Sequence, residues 1–147
     1  MTDVLTEPLT EAALFELLSS ECRVDDAGTL RYYDARGQLH RVYGPAVVHR
    51  DGSRSWYQNG RRHRIGAPAV ERPDGSRAWY QNGQLHRVDG PAVEYSDGST
   101  FWYQNGRRHR IDGPAIEYSG GKTFWYINGK ALTETEWQRQ VVSMGNV

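Results

Sequence analysis

Apolar and polar residues alternate in short bursts along most of this chain, and two kinds of turn signal separate the bursts. Runs such as PAVEY and STFWYQ alternate over a few residues and are rich in β-formers. Asp51-Gly52, Asp74-Gly75 and Asp97-Gly98 follow one kind of run, with Gly120-Gly121 in the last unit. Asn59-Gly60, Asn82-Gly83, Asn105-Gly106 and Asn128-Gly129 follow the other. Both dipeptides suit the positive φ angles of a two-residue type I′ hairpin turn. The glycines Gly37, Gly60, Gly83, Gly106 and Gly129 recur every 23 residues without interruption. From Gly83 the unit reads GQLHRVDGPAVEYSDGSTFWYQN, and from Gly106 it reads GRRHRIDGPAIEYSGGKTFWYIN. A degenerate unit precedes Gly37, with Ala27-Gly28 as its turn and Tyr32-Tyr33 in place of Trp-Tyr. The pattern predicts a mainly β protein: a single-layer, twisted antiparallel meander of repeated β-hairpins.

Two-residue turns at both signals set a register. It places Glu94 opposite Phe101, Val93 opposite Trp102, Tyr103 opposite Arg108 and Trp102 opposite His109. Val93, Trp102, His109 and Ile111 then share one face, and Glu94, Phe101, Tyr103, Arg108 and Arg110 share the other. The Trp/Val/Ile/His face is expected to be the better buried. Glu94 is expected to share a row with Arg110, and Glu71 with Arg87, as exposed ion pairs.

The ends read differently. Leu14, Leu17 and Leu18 in LTEAALFELLSS follow helical spacing, with Pro8 and Thr10 at a helix start. Thr133 to Glu136 forms a capping box before a second helix, which would bury Trp137, Val141 and Val142. Three segments follow: an acidic helical arm or cap over 1–22, the repeat array over 23–130, and a capping helix over 131–147. A repeat array needs caps, because its terminal hairpins expose an edge. The acidic arm has a second reading, as a dimerisation or partner-docking element.

Charge sharpens that division. The chain is formally neutral, yet residues 1–22 hold five carboxylates and no Lys or Arg, while residues 23–130 hold 17 bases and 11 acids. The basic sheet can therefore dock its own acidic arm or meet an acidic surface elsewhere. Cys22 is the lone cysteine, which excludes an intrachain disulfide framework. No apolar run reaches membrane-spanning length, and acids stand where a signal peptide carries bases, so a cytoplasmic protein is expected.

With G-x-x-H, a nearby Gly, the D-G turn and an aromatic pair before N-G, the 23-residue unit resembles the MORN repeat. Its tandem WYxNGxxHRxDGPA units resemble those of uncharacterised bacteriophage, giant-virus and bacterial proteins, over about Thr29 to Lys130. The chain departs from MORN at Arg41, Arg64, Arg87 and Arg110, where Arg replaces the Gly after His. The resemblance implies a MORN-like solenoid sheet without catalytic activity of its own. Such arrays bind proteins, dimerise or contact lipids. It also implies a phage or mobile-element setting, as an inhibitor of a host-defence complex or an immunity protein.

Candidate chemistry is sparse. His40, His63, His86 and His109 recur at one repeat position. Equivalent residues lie two strands apart, about 9.6 Å, whereas zinc takes nitrogens at about 2.1 Å. These histidines therefore read as packing residues, with no metal. Asp89 and Asp112 read as turn-fixing residues before Gly-Pro-Ala, and Ser53, Ser76 and Ser99 have no histidine beside them. No nucleophile, phosphate loop or cofactor motif is present, so neither an enzyme nor a cofactor is expected. The aromatic ladders remain. Tyr57, Tyr80, Tyr103 and Tyr126 project opposite to the tryptophans, near Arg61, Arg62, Arg107 and Arg108. Tyr and Arg dominate binding hot spots, so these eight residues are the candidate site for an acidic protein partner. The alternative partner is a polyanion, nucleic acid or acidic phospholipid, with Arg on phosphate and Tyr stacking.

Overall fold

The structure, a computed structural model, describes residues 10–12, 14–15 and 20–145. Among these the chain is mainly β. An antiparallel sheet of eleven strands runs in sequence order from Glu21–Val24 to Lys130–Leu132. Three two-stranded hairpins, Tyr57–Gln58 with Arg61–Arg62 and their two repeats, interrupt that order. They turn at Asn-Gly and bond to each other along the array: the Arg64 amide donates to the Tyr80 carbonyl at 3.1 Å, and the Gly83 amide to that of Arg62 at 2.8 Å. The meander expected from the turn spacing is the observed architecture.

The two turn signals differ in geometry. Asn59, Asn82, Asn105 and Asn128 take φ near +50°, and Tyr103 pairs with Arg108 as a two-residue turn requires. The Asp-Gly loops hold three residues. The Gly98 amide donates to the Tyr95 carbonyl at 3.0 Å, and the Tyr95 amide to the Ser99 carbonyl at 2.9 Å. Gly98 sits at φ +89°, the left-handed position that closes a turn-plus-bulge loop. Asp97 stays out of the left-handed region and its carboxylate accepts the Ser99 amide at 2.8 Å, but Gly120, at the matching position of the last unit, behaves the same way without a carboxylate.

That extra residue corrects the predicted register. Val93 pairs with Phe101, and Glu94 with Thr100. A one-residue slip exchanges faces, so Val70, Ala78, Val93, Phe101 and Ile116 form one row, and Arg54, Glu71, Arg77, Glu94 and Glu117 the next. Val93 therefore lies with Phe101 and the tyrosines. Glu94 and Arg110 lie with the tryptophans. The expected pairing of Glu94 with Arg110 and of Glu71 with Arg87 is replaced by Glu94 with Arg87 and Glu71 with Arg64.

The core is narrow. Ala46, Ala69, Ala92 and Ala115 are fully buried, each accepting the backbone N–H of the aromatic residue opposite, as Ala69 does from Trp56 at 2.8 Å. Val47, Trp56, Ile116 and Ile127 complete it, while Trp79, Trp102 and Trp125 are half-buried. Ile65, Val88 and Ile111, expected inside, are exposed at 75%, 69% and 52%. Each follows the arginine that folds onto the tryptophan and stands at the open rim beside it, Ile65 with Trp56, His63 and Arg64, and Val88 with Trp79, His86 and Arg87. Buried Ser76 and Ser99 stitch adjacent turns, their hydroxyls accepting the Ser96 and Ser119 amides at 3.1 and 3.0 Å.

Helix α1, Glu134–Gly145, closes the C-terminal end. The capping box forms as expected: the Thr133 amide donates to Glu136 at 2.8 Å, and the Glu136 amide to the Thr133 hydroxyl at 3.2 Å. Trp137 packs on Trp125 at 4.5 Å between ring centroids, and its indole N–H donates to the Arg110 carbonyl at 2.8 Å. Val141 is half-buried, but Val142 is 63% exposed, one step round the helix. At the other end, Glu11, Ala12, Leu14 and Phe15 are helical, Thr10 and Ser20 are not, and residues 9, 13 and 16–19 of the expected N-terminal helix lie outside the described residues. The sheet begins at Glu21, inside the segment read as the arm.

Acid should expose the turn carboxylates. Hydrogen bonds from the Ser53, Ser76 and Ser99 amides, then their hydroxyls, hold Asp51, Asp74 and Asp97 below the ordinary carboxylate range. A lowered folded pKa adds stability above the unfolded value, about 3.9, and that stability drains as pH falls through the folded one. Wild type should therefore lose stability progressively below about pH 4. The triple variant Asp51→Asn/Asp74→Asn/Asp97→Asn should show a flatter profile there, measured by thermal melts from pH 2 to 7. Identical slopes would refute the assignment.

Candidate functional site

The tyrosine face is built by the Asn-Gly hairpins. Tyr57 is opposite Arg62, Tyr80 opposite Leu85 and Tyr103 opposite Arg108. Tyr33 bridges Leu39, and Tyr126 pairs with Ala131. Because the hairpins are bonded side by side, these residues form one row: Tyr33, Leu39, Tyr57, Arg62, Tyr80, Leu85, Tyr103, Arg108, Tyr126. The alternation of Leu and Arg between tyrosines is the two-repeat pattern visible in the sequence, now seen as alternating apolar and cationic rungs.

Arg62 lies between two rings, 5.8 Å from Tyr57 and 5.4 Å from Tyr80. Arg108 donates to the hydroxyls of Tyr103 and Tyr126, both at 3.2 Å. Those bonds, the Tyr103 one foremost, hold its guanidinium above its ordinary range. All four tyrosines are half-buried, and Arg62 is exposed. A recess of about 170 Å³ opens beside them, lined by Arg62, Val70, Tyr80, Leu85, Val93 and Tyr95.

Not all eight predicted residues meet. Strand alternation sends Arg61 and Arg107 to the side away from Arg62 and Arg108. There their side chains lie against Gly83 and Gly129 of the next turn. Tyr57, Tyr80, Tyr103, Tyr126, Arg62 and Arg108 share the ladder; Arg61 and Arg107 do not.

Sequence reasoning missed the role of the arginine after each histidine. Arg64, Arg87 and Arg110 stack over Trp56, Trp79 and Trp102 at 3.9, 4.0 and 4.0 Å, and Arg41 stacks over Tyr32 at 3.8 Å. Each also donates to a proline carbonyl four residues on, as Arg87 does to Pro91 at 3.2 Å. Arg87 bonds Glu94 at 2.9 Å and Asp89 at 3.0 Å. Arg110 bonds Glu117 and Asp112 likewise. Asp89 and Asp112 thus hold arginine rather than the local backbone. The H-R-x-D-G-P-A string is a clamp: its arginine is largely covered and met by carboxylates, while Asp89 and Asp112 themselves face solvent. The signal was the seven-residue offset from Arg64, Arg87 and Arg110 to Glu71, Glu94 and Glu117, which Arg41, with Val48 there, lacks.

The histidines stitch repeats. His40, His63, His86 and His109 each accept, at Nδ1, the backbone N–H of the asparagine 19 residues on, at 3.0 to 3.1 Å. In each case the Nδ1 lone pair is the acceptor, which ties one repeat's imidazole to the next repeat's Asn-Gly turn. Among the described residues no three His, Cys, Asp or Glu side chains group as a metal site, and no helix is long and apolar enough to cross a membrane.

Fold and surface together define a tandem β-hairpin repeat protein with an arginine-clamped tryptophan row on one face and a tyrosine row on the other. No protein-family model and no curated protein sequence matches the chain.

Proposed function

We propose that the chain is a MORN-like, non-enzymatic repeat module that binds a protein partner with an acidic surface through the tyrosine ladder. The observation that carries this reading is the unbroken row of half-exposed tyrosines with Arg62, Leu85 and Arg108 set between them. Rigid aromatic area, interleaved cations and an adjoining recess are the chemistry of a protein-binding hot spot. The clamp arginines, already paired with carboxylates, speak against phosphate binding along the opposite face. The resemblance to phage and bacterial proteins extends the proposal to a setting: inhibition of a host-defence complex, or immunity.

The test is capture from host lysate by wild type and by Tyr103→Ala/Arg108→Ala. A protein held by wild type should bind the variant at least ~30-fold more weakly, the loss of one strong hot spot, with the melting temperature little changed. Equal loss of stability and binding would make this face structural. Salt titration against DNA, RNA and acidic vesicles tests the polyanion alternative; tight, steeply salt-dependent and sequence-indifferent binding there would overturn the proposal.

A further inference from the structure

The two ends of the sheet are finished differently. At the C-terminal end α1 follows the last strand and stacks Trp137 on Trp125. At the other end stands β1, Glu21–Val24, with all four residues exposed. β1 pairs on one side with β2, Leu30–Tyr33, placing Glu21 opposite Tyr33, Cys22 opposite Tyr32 and Arg23 opposite Arg31.

Backbone directions along β1 follow from its neighbours. Tyr32 donates its N–H to Ala46 and accepts the His40 N–H, so both its polar groups point away from β1. Cys22, opposite Tyr32, therefore turns its own N–H and C=O outward, off the sheet. Val24 does the same by alternation, while the Asp25 N–H turns inward to Thr29 at 3.1 Å. The edge thus offers a correctly spaced set of donors and acceptors to one more antiparallel strand.

Charge selects the occupant. Glu21 and Arg23 lie on one side of β1, bonded to each other twice at 2.8 Å. We infer that the occupant is β1 of a second copy of this chain, in antiparallel register about a two-fold axis that passes midway between the two Cys22 residues. In that register Cys22 exchanges both backbone hydrogen bonds with its copy. Each Glu21 lies opposite the other copy's Arg23, giving four charges of alternating sign. The neighbouring registers are worse. A centre on Arg23 sets Arg23 against its own copy, a centre on Glu21 does the same with Glu21, and like charges directly opposite destabilise a sheet. A centre on Val24 carries the pairing past the end of the strand into the Asp25 turn. The result is a continuous sheet through two copies, with a helix-capped strand at each far end.

Sedimentation of the full chain across a concentration series tests this. Wild type should form a concentration-dependent dimer, and a short bis-maleimide should cross-link Cys22 to Cys22. Arg23→Glu and Glu21→Arg should each weaken dimerisation by about tenfold or more, because each faces its own copy with like charges. An equimolar mixture of the two variants should recover wild-type affinity, since each then supplies the charges the other lacks. That mixing also shows that both variants are folded. A monomer at every concentration would overturn the inference. So would a dimer indifferent to both substitutions, a mixture that recovers nothing, or a dimer whose Cys22 residues fail to cross-link.

Discussion

Trp56→Ala is expected to cost about 3–5 kcal/mol, the usual range for truncating a large buried aromatic. Trp56 is the one repeat tryptophan below a tenth exposed, at 8%. Its backbone N–H bonds Ala69, its carbonyl accepts the His63 N–H at 3.1 Å, and Arg64 covers its ring at 3.9 Å. Removing the indole opens a cavity and strips Arg64 of the surface that holds it over Glu71 and the Pro68 carbonyl. Urea unfolding at neutral pH would measure the loss. Trp102→Ala should cost less, because Trp102 is half-buried. Equal losses at the two positions would mean that burial of the ring does not set the cost.

Gly90→Ala should destabilise by about 1–3 kcal/mol, the range for overpacking a filled site. A Cβ there would lie 2.6 Å from Cζ of Arg87, a side chain fixed by Trp79, Pro91, Glu94 and Asp89. The guanidinium would have to leave at least one of those partners. One repeat already carries the substitution: Ala67 occupies the matching position, yet Arg64 still reaches Trp56 and Pro68. There Gly66 replaces the aspartate and takes φ +74°, which redirects the backbone under the arginine. Asp89→Gly/Gly90→Ala, copying that pair, should therefore recover most of the loss. In an Arg87→Ala background, Gly90→Ala should be nearly neutral, a coupling that a double-mutant cycle reads directly. Additive losses would mean that the glycine serves the turn rather than the arginine.

Much of the molecule was legible along the chain. Periodic Asn-Gly and Asp-Gly pairs, short alternating runs and the Thr133–Glu136 box are local signals, and local backbone preferences act on them directly. The Asn-Gly hairpins formed with the expected partners, so Tyr103 meets Arg108 and the tryptophans and tyrosines project oppositely. The opposite projection of tyrosines and tryptophans followed from that turn; the ladder also needs successive hairpins bonded side by side, as Arg64 is to Tyr80. The Asp-Gly loop was the point of failure. Asp-Gly and Asn-Gly look alike as turn signals, but here the positive φ falls on Gly98 alone, as it falls on Gly121 alone in the Gly-Gly unit, so the loop holds three residues instead of two.

The sequence by itself determined the repeat, its period, the meander and which aromatic residues belong to each of the two opposed sets, because these follow from turn signals and alternation that recur in every 23-residue unit. Tertiary structure decided which residues share a face, which arginines remain exposed, and why the histidines recur. Those answers depend on one residue of loop length and on partners 7, 19 or 20 positions away. A shift of one residue in a strand exchanges its two faces, so a small local difference in turn chemistry moved Glu94 to the tryptophans and Val93 to the tyrosines. The same closure turned the arginines, which in the chain resemble a basic surface, into clamps whose charge is largely met within the fold.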